Sequence, residues 1–206
     1  MELDFGGIVE YLNGGMNTSD VSVITCALPS RPDLLSEAIS GIVEQTVPPR
    51  AAYIGIDFAL IGEAQNQNRM INIVDTEWIA FCHDDDVWLP NHLEEMLKIS
   101  QDADVIFSDY YLEGRGDWHP GHYCSSWEKL LETNWIPPSA AMIRTDVFRA
   151  IGGWQQMNHM RDWVDWKTWQ RLYLDGYRMK CTCKKTFRYR FEVNENHKNG
   201  SWSSQW

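Results

Sequence analysis

The sequence lacks three features: a surplus of positive charge, a long apolar run and a cysteine motif. Its 206 residues include 18 Lys+Arg and 29 Asp+Glu, a formal net charge of −11. This negative charge repels a polyphosphate backbone, so we expect no nucleic-acid partner. No segment approaches the roughly 20 apolar residues of a membrane span. The five cysteines form no CxxC pair, and the acidic start MELDFGG does not resemble a secretory signal. These features predict a cytoplasmic protein.

The sequence does contain an alternation of two patterns, β-branched runs and helical apolar spacing. At 44% hydrophobic and 23% charged residues, the composition is typical of one globular domain. The alternation predicts an α/β fold with a mostly parallel central sheet flanked by helices, and ligands beyond the carboxyl ends of the strands. The predicted strands are 21–25, 53–57, 78–82, 104–108, 140–143, 178–182 and 186–191, and the helices begin near 33, 64, 90 and 162. Residues 1–20 are predicted to be an N-terminal extension, either a helical turn or a mobile lead-in.

Three consecutive carboxylates, Asp84 to Asp86, follow the predicted strand 78–82. Like charges at the end of a buried strand repel one another and require a counter-charge. A divalent cation held by one or two carboxylates and by phosphate oxygens would supply it, and Mg²⁺ or Mn²⁺ prefers such oxygen ligands. The alternative is a solvated turn whose acids stabilise the start of the helix after Pro90. The spacing alone leaves both interpretations open.

Residues 78–90 together with Leu93 resemble the metal-binding segment of the family-two glycosyltransferases, which have the GT-A fold. In that family a strand ends in an acid–any–acid motif, followed by a further acid, an aromatic residue, a proline and a leucine. The resemblance covers about residues 21–200, and it is carried by the order and spacing of several segments. The others are Val21–Ile24 with Arg31-Pro32, the helix around Asn68-Arg69, the stretch from Ala140 to Gly152-Gly153-Trp154, and the helix from Asp165-Trp166 to Leu172.

Four positions depart from the family's motifs, one of them Met70, which stands where the helix motif has a glycine. His83 replaces the first acid of the metal-binding motif, and Gln67 replaces the first arginine of the helix that contains Asn68-Arg69. Val164 replaces the glutamate that precedes the family's catalytic base.

The resemblance implies a divalent metal, Mn²⁺ or Mg²⁺, as the cofactor. By alignment with the family, Asp85 takes the position of the direct metal ligand, and Asp84 and Asp86 lie near the ribose, the metal or its waters. His197 corresponds to a histidine that can complete the metal site in family members. The alternative for His197 is a free histidine in a C-terminal tail.

The same resemblance implies a catalytic base that removes the proton of the acceptor hydroxyl, in a single displacement that inverts the sugar. Asp165, at the start of the predicted helix 162–175, is the candidate base. Its alternative role is a helix-start acid that interacts with the helix dipole. Asp162 lies one turn earlier on the same face and is the second candidate.

Further positions are assigned to the two substrates by the resemblance. Asp57 ends the second predicted strand, where the family has a carboxylate that contacts the nucleotide base; a turn-forming role is the alternative. The other predicted nucleotide-binding residues are Arg31, Arg69, Asn68 and Thr25. The predicted acceptor-binding residues are Trp154, Gly153 and Trp166, because an indole offers an apolar face to a sugar. For Trp166, helix packing against the sheet is the alternative.

We therefore predict a metal-dependent glycosyltransferase with a nucleotide-diphospho-sugar donor, of uridine diphosphate type, and an acceptor whose identity the sequence does not give. The donor-binding half is predicted over 21–110, the acceptor-binding half over 111–191, and a flexible tail that could act as a lid over 192–206. The alternative is a catalytically inactive carbohydrate- or partner-binding module on the same fold. A nucleotidyltransferase is disfavoured because the first strand leads into residues 25–29, which contain no glycine.

Overall fold

The computed structural model describes residues 8–12, 18–113, 116–118, 126–155 and 163–190. The strands in these residues are β1 (Ile8–Leu12), β2 (Ser19–Ala27), β3 (Pro49–Ile56), β4 (Trp78–Phe81), β5 (Val87–Trp88), β6 (Val105–Leu112), β7 (Gly116–Trp118), β8 (Ala141–Arg144) and β9 (Met179–Tyr189). The helices are α1 (Pro32–Val43), α2 (Glu63–Ile71), α3 (His92–Leu97), α4 (Thr145–Ala150) and α5 (Val164–Leu174), with 3-10 turns at Trp127–Leu131 and Pro138–Ala140.

The strands form one mixed sheet, in the order β1-β3-β2-β4-β8-β6-β9-β5, and β7 pairs with β6. β2 lies parallel to both β3 and β4, and β6 lies parallel to β9. β8 lies antiparallel between β4 and β6. The predicted α/β class is confirmed, but the sheet is mixed and not mostly parallel as predicted: among the described strands three pairs are parallel and five are antiparallel. Val21–Ala27 of β2 are all buried, as expected for a central parallel strand that is covered on both faces.

The N-terminal extension differs from both forms predicted for it. Ile8–Leu12 is strand β1, and it pairs antiparallel with β3, with Glu10 opposite Tyr53. Without this pairing the edge of β3 would present unpaired backbone N–H and C=O groups. Residues 8–12 therefore belong to the sheet.

The two predicted strands at 178–182 and 186–191 are one long strand, β9. Its pairing with β6 shifts register between Phe107 and Asp109. Near this irregularity Cys183 has a φ of 52°, a left-handed conformation that interrupts the alternation of side chains along a strand. Cys181 and Cys183 therefore do not share a face in the regular way that the sequence pattern predicts.

An aromatic cluster connects the two halves of the chain. The Trp154 ring lies 4.9 Å from Phe81, 5.1 Å from Phe148 and 5.4 Å from Trp169, with edge-to-face geometry. Such pairs stabilise a core beyond the area that they bury. They hold α4 and α5 against the end of β4. In the described part of the chain, no helix has the length and apolar character needed to cross a membrane.

Candidate active site

The carboxyl ends of β2, β3 and β4 meet at one edge of the sheet, because these three strands run parallel. The chain enters α1 after β2 and α2 after β3, while β4 leads into the acidic segment Asp84–Asp86. Ligand sites of open α/β sheets lie at such an edge. The fold therefore brings the segment after β2, Asp57 and the acidic segment together.

Arg31 forms ion pairs with two carboxylates of the acidic segment. Its Nη1 lies 3.3 Å from Asp84 Oδ1 and 3.1 Å from Asp85 Oδ2. The Leu28 N–H also donates to Asp84 Oδ2, at 3.0 Å. All three carboxylates are buried, with exposed fractions of 5% for Asp84, 5% for Asp85 and 2% for Asp86. Burial is the main cause that raises the pKa of Asp84.

Asp86 lies apart from Arg31 and contacts the second half of the chain. It accepts a hydrogen bond from the backbone N–H of Arg190, at 3.3 Å, and one from the side chain of Ser139. Burial, and next the charge of Asp85, raise the pKa of Asp86 to about 8. The segment is therefore crowded with negative charge that Arg31 only partly balances.

These carboxylates fit a divalent cation. Within the described ranges no three His, Cys, Asp or Glu side chains converge into a complete metal cage. Mg²⁺-type sites, however, commonly use one or two carboxylates and complete their coordination with substrate phosphates and water. Asp85 and Asp86 supply such hard oxygen ligands, and a cation would relieve the repulsion between them.

Asp57 holds the loop after β3. Its two carboxylate oxygens accept the backbone N–H groups of Ile61 and Gly62, both at 2.9 Å. This bonding pattern matches the turn-forming role, although each oxygen retains a second lone pair. Base contact by Asp57 stays a prediction. Thr25 is fully buried, which argues against side-chain contact with a nucleotide, and Arg69 lies exposed on the last turn of α2.

Asn68 connects α2 to the segment after α4. Its side chain donates to the Trp154 carbonyl at 2.7 Å and accepts from the Trp154 N–H at 2.9 Å. A Cβ on the buried Gly153 would lie 2.5 Å from Asn68 Oδ1. Asn68 and Gly153 therefore hold the two halves together. Trp154 is 4% exposed, so its ring lies in the core, and stacking of this ring on an acceptor is not supported.

Asp165 lies in the first turn of α5 and is half-buried. Its oxygens accept hydrogen bonds from Asn134 Nδ2, at 3.0 Å, and from the backbone N–H of Trp166, at 2.7 Å. Burial raises the pKa of Asp165 to about 6, although both hydrogen bonds lower it. This carboxylate is ionised near neutral pH and can still accept a proton, as a general base must. The half-buried Trp166 donates its indole N–H to the Leu130 carbonyl.

A further cluster, Glu63, Gln67 and His83, lies between α2 and the acidic segment. His83 Nε2 lies 2.7 Å from Glu63 Oε1, and Gln67 Nε2 donates to the same oxygen at 2.9 Å. Burial lowers the pKa of His83, but the charge and hydrogen bond of Glu63 outweigh it and raise the pKa to about 10. Partial desolvation raises the pKa of Glu63, whose side chain is 52% exposed, but the charge and hydrogen bond of His83 outweigh it, so the pKa is lowered. The charges of both residues act on Asp165.

Comparison with protein families decides the class of the chain. Residues 29–169, more than half of the chain, match the model of Glycosyl transferase family 2. The chain belongs to glycosyl transferase family 2. It is 28% identical over 152 residues to the uncharacterized glycosyltransferase YwdF of Bacillus subtilis, and this match covers 66% of the chain and 56% of YwdF.

Solved structures share the fold of this family 2 chain. TarS 1-349 of S. aureus in complex with UDP-GlcNAc superposes with a TM-score of 0.66 at 14% identity, over 90% of this chain and 61% of TarS 1-349. The mannosyltransferase PcManGT of Pyrobaculum calidifontis, in complex with GDP-Man and Mn²⁺, gives 0.64 at 14% identity, over 89% of this chain and 60% of PcManGT. The chain thus spans about 60% of the length of these structures.

Two sequence-predicted site residues of this family 2 chain, Asp162 and His197, lie outside the described residues, as does the predicted tail at 192–206. Sequence reasoning missed three residues that the structure adds to the site: Glu63, Asn134 and Ser139. Glu63 carried a weak signal, because it is an acid in the first turn of α2.

Proposed function

We propose that this chain transfers a sugar from a nucleotide-diphospho-sugar to an acceptor hydroxyl, with a divalent metal and with inversion at the anomeric carbon. One observation carries the proposal: the buried carboxylates, faced by Arg31 and His83, lie at the carboxyl edge of the parallel strands, and the charges of Glu63 and His83 beside them also act on the carboxylate of Asp165. TarS was solved with UDP-GlcNAc and PcManGT with GDP-Man and Mn²⁺. These ligands support a nucleotide-sugar donor for this chain.

The acidic segment would hold the metal and the donor diphosphate. Asp85 is the proposed direct ligand, and Asp86 assists it from the side that contacts Arg190. When bound, Mn²⁺ or Mg²⁺ neutralises the negative charge that grows on the departing diphosphate. Arg31 already lies against Asp84 and Asp85, which places a guanidinium beside the proposed phosphate position.

Asp165 would activate the acceptor. As the acceptor oxygen forms its bond to the anomeric carbon, the bond from that carbon to the diphosphate oxygen breaks, and Asp165 takes the hydroxyl proton. The nucleoside diphosphate leaves with the electron pair of the broken bond. Asn134 and the Trp166 N–H hold the carboxylate in one orientation, which reduces the entropy lost on reaching the transition state.

The experiment is a thermal-shift screen with uridine, guanosine and thymidine diphosphates, each with and without Mn²⁺. A ligand that binds only the folded state raises the unfolding midpoint by mass action. We expect a shift that needs both Mn²⁺ and one nucleotide, with uridine diphosphate favoured, and its loss in Asp85→Asn. No shift with any nucleotide, or shifts with free glycans alone, would refute the transferase and support the binding module.

Catalysis is tested separately from binding. Asp165→Asn is expected to retain the nucleotide-dependent shift and to lose transfer and donor hydrolysis. Asp175→Asn is the matched control, because Asp175 is exposed just beyond the other end of α5. Full activity in Asp165→Asn would exclude Asp165 as the base. The cytoplasmic location stays a prediction.

A further inference from the structure

Two of the departures from the family's motifs, Gln67 and His83, lie in contact. Gln67 Nε2 and His83 Nε2 are 3.2 Å apart, because both nitrogens approach the same Glu63 oxygen. Glu63 and Gln67 are one helical turn apart on α2, where side chains at i and i+4 face each other. His83 lies two residues beyond β4 and directly precedes the acidic segment.

We propose that Glu63, Gln67 and His83 are a matched set that positions the acidic segment for the metal and the diphosphate. In this set, the histidine and the glutamine together replace the acid and the arginine that the family has at positions 83 and 67. The proposal rests on the proposed function and adds three positioning residues to that site.

Hydrogen-bond chemistry explains why the two positions must change together. Glu63 only accepts hydrogen bonds, so its neighbours at positions 67 and 83 must be donors. Both an imidazole N–H and an amide NH₂ satisfy this requirement. An aspartate at position 83 would also only accept, so it would face Glu63 without a proton between them. An arginine at position 67, which only donates, would then be needed between the two carboxylates.

The glutamine itself shows an incomplete fit. Gln67 is 1% exposed, and its Oε1 has no hydrogen-bond partner among the residues that the structure describes. A buried acceptor without a hydrogen-bond partner lowers the stability of the folded state. An arginine at this position would avoid this cost, because its side chain contains no acceptor. The glutamine at position 67 therefore fits the histidine at position 83, although its own oxygen is left without a partner among the described residues.

The set acts on the acidic segment through a short connection. The backbone N–H of His83 donates to Ser139 Oγ at 3.0 Å, and the side chain of Ser139 also donates to Asp86. Side chain and backbone of His83 are thus fixed from α2 and from the Pro138–Ala140 turn. A displacement of His83 would move the residue directly before the acidic segment, and so would shift the carboxylates of Asp84–Asp86.

A double-mutant cycle tests the matched set. His83→Asp and Gln67→Arg are made singly and together, and His83→Asp is also combined with Gln101→Arg. Gln101 is exposed in the turn before β6, at the opposite edge of the sheet, so this control adds the same charge without the contact. His83→Asn keeps a side-chain donor and serves as a mild variant. The readouts are uridine diphosphate binding with Mn²⁺ by calorimetry and urea unfolding without ligand.

We expect His83→Asp to weaken nucleotide binding by about 10-fold, and Gln67→Arg added to it to recover most of that loss. His83→Asn is expected to bind nearly as well as the wild type, and the Gln101→Arg combination to recover nothing. Additive effects in both readouts, or equal recovery by Gln101→Arg, would overturn the matched set. If the wild type binds no nucleotide, the proposed function and the donor-positioning role fail together, and coupling in urea unfolding still decides whether the three residues are matched.

Discussion

Gly153→Ala tests how much the Asn68 side chain contributes to holding the two halves of the chain together. Gly153 has a φ of 67°, and a Cβ there would lie 2.5 Å from Asn68 Oδ1. Asn68 makes both of its hydrogen bonds to the backbone of Trp154, at 2.7 and 2.9 Å. The added methyl group would therefore displace the Asn68 side chain from both of these hydrogen bonds.

The expected loss of unfolding free energy has two parts. A non-glycine residue in the left-handed region costs about 1 kcal/mol. Each of the two lost hydrogen bonds contributes about 1 kcal/mol, since Trp154 is buried and its N–H would have no replacement. The substitution is therefore expected to destabilise the protein by about 3 kcal/mol.

Urea unfolding at neutral pH measures this loss, and the neighbouring glycine provides the control. Gly152 has a φ of 82°, and a Cβ there would meet only the flexible end of Gln155, at 3.2 Å. Gly152→Ala should therefore cost only the backbone part, about 1 kcal/mol. When Asn68 is already replaced by alanine, Gly153→Ala should also cost only about 1 kcal/mol, because the two hydrogen bonds are then absent beforehand. Equal costs for the two alanine substitutions in the wild-type background would refute the reasoning.

Three further predictions concern charge. Arg31→Gln leaves Asp84 and Asp85 buried without the Arg31 cation, so it should lower the free energy of unfolding in urea by about 3 kcal/mol, and Mn²⁺ should restore part of this loss. The control is Arg50→Gln, which removes only exposed ion pairs and should lower the free energy of unfolding by less than about 1 kcal/mol. The transfer rate should fall as pH drops through about 6, because the pKa of Asp165 is raised to that value and only its ionised form accepts a proton; a flat profile would contradict this. Burial lowers the pKa of His92 from 6.5 to about 3, so the unfolded state binds a proton there that the folded state does not, and the His92 contribution to stability should fall below pH 6.5 by up to about 1.4 kcal/mol per pH unit. The raised pKa values of Asp86 and Asp165 act in the opposite direction, so the His92 contribution is measured as the difference in slope between the wild type and His92→Phe, and equal slopes would contradict it.

The central strands could be predicted from sequence because their burial leaves a local signature. Trp78–Phe81 is apolar throughout and buried. The end of this apolar run marks the end of the strand, so the sequence alone places the acidic segment just beyond it. The order of the strands has no such signature. β8 lies between β4 and β6 although it follows β6 in the chain, and β1 pairs with β3 from outside the predicted domain. Such pairings depend on which sheet edge is free, which is a property of the whole fold.

The site divides in the same way. Asp84–Asp86 and Asp165 stand in motifs with a fixed spacing, so sequence reasoning selected them. Asn134 lies in an irregular segment without periodicity, and only the tertiary fold brings it to Asp165. Glu63 resembles an ordinary acid at a helix start, and its role depends on a contact with a residue 20 positions away in the chain.

Some of the predicted site residues already use their polar side-chain atoms in hydrogen bonds within the protein, and this limits which residues can bind a ligand. Asn68 uses its amide oxygen and nitrogen on the backbone of Trp154, and Asp57 uses both oxygens on the loop at 61–62. Each forms part of the scaffold, whatever further contact it makes. Asp85 meets Arg31 through one oxygen, and a carboxylate offers about four acceptor positions. The balance of donors and acceptors therefore supports the proposed role of Asp85 in metal and phosphate binding, and it makes Asn68 one of the residues that join the two halves of the chain.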